Sequence, residues 1–167
     1  LWRARERALE GERTSGGTGL AAAAVPTHRL ARALEVLDSG ISLFKDAPGS
    51  HLLHQSRGAL LHRLHRVEAA RTAYSRAVDA GSGAPAYVGW AMLELGAGDA
   101  ARAEALFARG AELEPEHAPL VSARASAKIR RGDVAGARAL FRTSIRHSGA
   151  SSLFHGWGQV ELGEGHI

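Results

Sequence analysis

The sequence predicts an all-α protein, a solenoid of stacked helical hairpins, and three observations carry that prediction. The first is composition: 33 of 167 residues are Ala, 20 are Gly and only 5% are aromatic, so helices must approach one another on small side chains. The second is a repeat. Residues 84–117 align without gaps on 118–151, with Asp99 on Asp133, Ala103 on Ala137, Leu106 on Leu140 and Phe107 on Phe141, a period of 34. The third is that the register continues both ways. A step of 33 backwards puts Arg66, Val67, Ala70 and Tyr74 on Asp99, Ala100, Ala103 and Phe107; forwards, Phe154, Trp157, Glu161, Leu162 and Gly163 fall on Tyr87, Trp90, Glu94, Leu95 and Gly96. Repeats of this length are single hairpins that bury an apolar face only by stacking on neighbours.

The chain divides on this pattern into 51–83, 84–117, 118–150 and a truncated 151–167, preceded by a degenerate repeat over 1–50. In that first unit, Trp2 and Leu9 are the apolar contacts of a helix over 1–10, among Arg3, Arg5 and Arg7. Residues 11–28, rich in Gly, Ser and Thr and carrying a tetra-Ala run, exceed a normal inter-helix turn and read as a mobile insertion. A helix over 29–45 sets Leu30, Ala33, Leu34, Leu37, Ile41 and Phe44 on one face, ended by Pro48-Gly49. Inner helices are expected at 51–66, 84–97, 118–131 and 151–163, and outer helices at 67–80, 100–113 and 134–147.

Local chemistry sets the boundaries. Gly98-Asp99 and Gly132-Asp133 each end one helix and begin the next, because glycine adopts the left-handed terminal conformation and Asp accepts hydrogen bonds from the free N–H groups of a first turn. Ala100, Ala103, Phe107, Gly110 and Ala111 form an inward stripe, as do Val134, Ala137, Phe141, Ser144 and Ile145, and Pro115 blocks continuation.

Reactive chemistry finds little support. The GGTG of residues 16–19 has no Lys and follows no strand, so it does not read as a phosphate loop. His51 with His54, and His62 with His65, lie one helical turn apart, but the sequence supplies no neighbouring carboxylate or thiolate to complete a metal site, and Cys is absent. Ser75, Ser122, Ser126 and Ser144 lack a nucleophile-elbow context, and Glu112, Glu114 and Glu116 form an acidic cluster at a helix end. The reading is a protein that is not an enzyme and uses no cofactor or metal. No apolar run approaches the 18 to 20 residues of a membrane-spanning helix.

The spacing of Ala91, Gly98-Asp99, Ala103, Phe107, Gly110 and Pro115 resembles the tetratricopeptide repeat. Tyr87-x-x-Trp90-Ala91-x-x-Glu94 and Phe154-x-x-Trp157-Gly158-x-x-Glu161 resemble the aromatic signature of half-a-TPR repeats, a subclass tied to RNA-processing complexes. The middle repeat departs from it, with Val121, Arg124, Ala125 and Lys128 in those places, and so does the first, with His54, Arg57, Gly58 and Leu61. Stretches such as RALEVLDSGISLF also look like the chloroplast RNA-maturation factors of plants and green algae. The resemblance implies a right-handed α-solenoid, an organellar location in chloroplast or mitochondrion, and a place in RNA metabolism or a ribonucleoprotein such as the ribosome.

In the geometry the resemblance implies, groove-facing positions fall on Gln55, Ala59, His62 and Arg63; on Val88, Met92, Leu95 and Gly96; on Ser122, Ser126, Ile129 and Arg130; and on His155, Gln159, Leu162 and Gly163. Arg57, Arg66, Arg124, Lys128 and Arg131 add positive charge nearby, within a net charge of +4 and a pI near 10.3. Amides, hydroxyls, imidazoles and guanidinium groups suit splayed bases and phosphates. The candidate RNA-binding set is thus Gln55, Arg57, His62, Arg63, Ser122, Arg124, Ser126, Lys128, Arg130, Arg131, His155 and Gln159. The alternative is a protein–protein scaffold whose Val88, Met92, Leu95 and Ile129 receive a partner helix or peptide. Tyr87, Trp90, Phe154 and Trp157 are expected to fill space between helices, and Glu94 and Glu161 to bond a neighbouring helix. Further repeats, other protein subunits or RNA are expected to cap residues 151–167.

Overall fold

In a computed structural model of the chain, the described residues are 27–45, 47–148 and 151–163. The expected helix over 1–10, and all but the last two residues of the expected insertion 11–28, lie outside them. Among the described residues there are eight helices and no strand: α1 (Thr27–Leu43), α2 (Ser50–Arg63), α3 (Val67–Asp79), α4 (Ala84–Gly96), α5 (Ala100–Leu113), α6 (Ala118–Arg130), α7 (Val134–Ser148) and α8 (Ser151–Gly163). None is long and apolar enough to cross a membrane.

The helix ends follow from local chemistry. Asp99 Oδ1 accepts from the Arg102 N–H at 2.9 Å, and Asp133 Oδ1 from the Gly136 N–H at 2.8 Å, so each aspartate satisfies a donor that its first turn would otherwise leave unpaired. Pro85 and Pro119 sit in the first turns of α4 and α6, where a missing N–H costs nothing. At the other ends, Gly98 and Gly132 take φ of 87° and 79°, and the following N–H groups of Asp99 and Asp133 reach back to the carbonyls of Glu94 and Lys128, both at 2.9 Å. These closures stop α4 and α6 one residue short of the expected ends. In α2 the same position is held by His65, with φ of 57°, so this helix ends at Arg63 rather than 66.

Two expectations on apolar faces are corrected. The first helix begins at Thr27 and stops at Leu43, which leaves Phe44 outside it and 57% exposed. Leu30 and Leu34 are the residues of that face that become buried. Phe154 is 56% exposed, whereas its counterpart Tyr87 is only 7% exposed. Tyr87 is covered by α5 and α6, since an added Cβ on Gly110 would meet both Tyr87 and Leu120; among the described residues no following hairpin does this for Phe154.

Packing proceeds hairpin by hairpin. Ala91, Ala103 and Phe107 are completely buried between α4 and α5, and Ala137, Phe141 and Leu153 join α7 to α6 and α8. Alanine at these crossings sets the distance between helices, and a Cβ on Gly110 would run into Leu120. The helices α2, α4, α6 and α8 touch one another in series, while α1, α3, α5 and α7 make no contact with one another. The chain is therefore an all-α solenoid with the first helices of the hairpins as its inner layer.

Candidate functional site

The inner layer presents Val88, Met92 and Leu95 from α4, Ser122, Ser126, Ile129 and Arg130 from α6, and His155 and Gln159 from α8, all half-buried or exposed. Side chains on these faces point away from the outer helices, because the opposite faces are taken up by the stack. No acidic residue occupies any of the groove-facing positions.

Three of the candidate cations are engaged in partly exposed ion pairs with other residues of the chain. Arg57 Nε meets Asp38 of α1 at 2.6 Å, Arg124 Nη2 meets Glu104 of α5 at 2.5 Å, and Lys128 Nζ meets Asp133 at 2.9 Å. The reason is position: Arg57 and Arg124 occupy the repeat places of Trp90 and Trp157, on the side of each inner helix that faces the preceding outer helix. Gln55 is also held, its Oε1 accepting from Ser82 Oγ at 3.1 Å. His62 is half-buried, and burial followed by the charge of His65 lowers its pKa. Arg63, Arg130 and Arg131 remain exposed at the ends of α2 and α6.

The structure brings Ser122, Ser126, Arg130 and Gln159 together, with Ile129, Val160, Gly156 and Phe141, around an open cavity of about 420 Å³ between α6 and α8. It does not bring the histidines of the two pairs into a metal-binding group; among the described residues no cluster of three metal-ligating side chains occurs.

The remaining polar groups hold repeats to one another. Glu94, fully buried, accepts from Arg71 Nη2 at 2.6 Å and from Trp90 Nε1 at 2.9 Å, with Arg102 Nε at 3.4 Å. Burial alone would raise its pKa; the Arg71 and Trp90 hydrogen bonds and the Arg102 charge outweigh that and hold it below the usual carboxylate range. Glu161 repeats the arrangement, with Arg138 Nη2 at 2.6 Å and Trp157 Nε1 at 2.7 Å. This matches the expected bonding of Glu94 and Glu161 to a neighbouring helix.

Sequence reasoning missed the partners, although an Arg at one shared register precedes each Trp-x-x-x-Glu. It also missed Glu114, whose Oε1 accepts from the Ala84 N–H at 2.9 Å and so caps α4 from the far end of its own repeat.

No protein-family model matches the chain, and neither does any curated protein sequence. Its fold is similar to the crystal structure of a tetratricopeptide repeat protein from Parabacteroides merdae ATCC 43184, with a TM-score of 0.63 and 18% identity. The match covers 84% of this chain and 56% of that one, so the chain spans little more than half the length of the similar structure. The fold of this chain is that of a tetratricopeptide-repeat solenoid.

Proposed function

We propose that the chain is a non-enzymatic scaffold whose inner layer, from α4 to α8, binds a segment of a partner protein. One observation supports this reading: three of the six candidate cations, Arg57, Arg124 and Lys128, are paired with Asp38, Glu104 and Asp133 rather than turned free into the groove. What remains is an apolar strip of Val88, Met92, Leu95, Ile129 and Val160, bordered by hydroxyl, amide and two exposed arginines, Arg63 and Arg130. Such a strip matches an apolar side chain every turn or so of a docked segment. The two arginines favour a segment with acidic residues, since the strip itself has none.

RNA binding in an organellar ribonucleoprotein is the second reading, and it rests on Arg63, Arg130 and Arg131 together with His62 and His155. The two readings part on salt and on shape. RNA held by phosphate contacts loses affinity linearly in log salt, and Arg63→Ala with Arg130→Ala would flatten the slope by about 1 per lost contact. A protein segment held on the apolar strip is lost on Met92→Glu or Ile129→Glu. Panning a displayed library of random peptides against the purified chain and against Met92→Glu tests the proposal. It expects enrichment on the parent that the variant abolishes; equal behaviour of the two overturns it.

A further inference from the structure

The cavity between α6 and α8 lies at one repeat interface, and the sequence explains how it opens. Two repeats earlier, the same positions between α2 and α4 carry Gln55 where the cavity has Ser122, Tyr74 where it has Phe141, and Leu93 where it has Val160. Every one of these replacements is smaller at the cavity. At the earlier interface the Tyr74 hydroxyl lies 2.7 Å from where a Cβ on Gly89 would fall, and Leu93 is 1% exposed. At the later one, the nearest atoms to a Cβ on Gly156 would be the edge of the Phe141 ring, at 3.2 Å, and Ser122 Oγ, at 3.5 Å, while Val160 is half-buried. Truncated side chains around a glycine leave room that neighbouring helices cannot fill, since their spacing is fixed by the rest of the stack.

The chemistry of the walls restricts what can enter. Phe141, Ile129 and Val160 make an apolar floor and side, Ser122 and Ser126 supply hydroxyls, and Arg130 stands exposed at the mouth. Among the described residues, no carboxylate pairs with Arg130 and none lines the cavity. A guanidinium with no ion-pair partner among the described residues, beside an apolar slot, is complementary to a carboxylate attached close to a bulky apolar group.

The geometry points to the α6–α8 cavity as an anchor pocket that takes one large aliphatic or aromatic side chain of a peptide, with an adjacent Asp or Glu, or a terminal carboxylate, held by Arg130. This rests on the reading of the inner layer as a protein-binding surface and names the residue class that the surface selects. The same positions at the α2–α4 interface do not select in this way, because Tyr74, Gln55 and Leu93 take up the room.

The test transplants the closed interface into the open one. A Ser122→Gln, Val160→Leu variant carries the residues that this fold already packs between α2 and α4, and Arg130→Glu changes only an exposed side chain. Random displayed peptides are panned against the parent and both variants, folding of each being confirmed by circular dichroism, and the enriched peptides are then measured by fluorescence anisotropy. The parent is expected to enrich an apolar residue next to an acidic one. The filled variant is expected to bind those peptides at least about tenfold more weakly, and Arg130→Glu to shift selection from acidic to basic neighbours. If the parent enriches peptides that the filled variant binds equally well, or that lack the apolar–acidic pairing, the pocket assignment is wrong while the scaffold reading stands. If the parent enriches nothing, both fail.

Discussion

Arg71 on α3 closes on Glu94 on α4 at 2.6 Å, twenty-three residues along the chain, and Arg138 on α7 closes on Glu161 on α8 at the same distance and separation. In each case a tryptophan one turn before the glutamate donates its indole N–H to the same carboxylate. The junctions that alternate with these reverse the polarity: Asp38 on α1 with Arg57 on α2, and Glu104 on α5 with Arg124 on α6. The outer helix thus offers an acid, a base, an acid and a base in turn at one register. A hairpin placed at the wrong junction would set like charges against one another, a cost that apolar packing alone would not impose.

The two kinds of junction should differ in cost. Glu94→Gln removes the one buried charge that Arg71 and Arg102 share, but Arg71 keeps its ion pair with Glu68 and both arginines reach solvent, so the loss is expected below the buried-pair range, at about 2 kcal/mol. Glu104→Gln, at a junction where both partners are partly exposed, should cost about 1 kcal/mol or less. Urea unfolding of both variants checks the contrast; equal losses would contradict the ranking.

The left-handed position after α2 offers a stabilising change. His65 holds φ of 57° where the following repeats place Gly98 and Gly132. A side chain with a Cβ is strained there, so His65→Gly should raise stability by about 1 kcal/mol, and Gly98→Ala or Gly132→Ala should lower it by about 1–2 kcal/mol. Denaturation midpoints of the three variants measure this directly.

Helix spacing depends on the small residues. Ala103 has no exposed surface between α4 and α5, so Ala103→Leu is expected to destabilise by roughly 1–3 kcal/mol through overpacking. Retention of the parent's stability would show that the crossing has slack.

Acid should weaken the fold in two stages. Burial, and then the charges of Arg76 and Arg57, lower the pKa of His54 from 6.5, and its Nδ1 is buried without a partner. A histidine depressed in the folded state binds fewer protons there than in the unfolded chain, so its contribution is complete above pH 6.5 and is lost as pH falls from there through the folded value. His62 adds to the same stage. Glu94, depressed from 4.5, contributes above that value and loses its contribution only on further acidification. His54→Leu should flatten the loss of stability that sets in as pH falls below about 6.5 while leaving the lower stage in place; a slope unchanged by this variant would refute the assignment.

Features that depend on near neighbours along the chain are legible in the sequence. Asp99 and Asp133 cap helices three residues ahead, and Ala91, Ala103 and Ala137 fall on buried faces through the 3.6-residue period. What is not legible depends on which side of a helix meets another repeat. Arg57 and Arg124 look like surface cations until Asp38 and Glu104, 19 and 20 residues earlier, are stacked against them. Glu114 caps α4 from thirty residues downstream. The α6–α8 cavity arises from the absence of atoms at Ser122, Val160 and Gly156, and periodicity does not register missing volume.

The proposed occupant of the inner layer is a protein segment. The most direct measurement mixes the purified chain with a photoreactive random-peptide pool and a random single-stranded RNA pool together, crosslinks with ultraviolet light, and maps the adducts by mass spectrometry. Peptide adducts concentrated on Val88–Gly96 of α4 and Ser122–Arg130 of α6, with RNA adducts absent from both, are the predicted result. RNA adducts on those two segments, with peptide adducts scattered or missing, would contradict it.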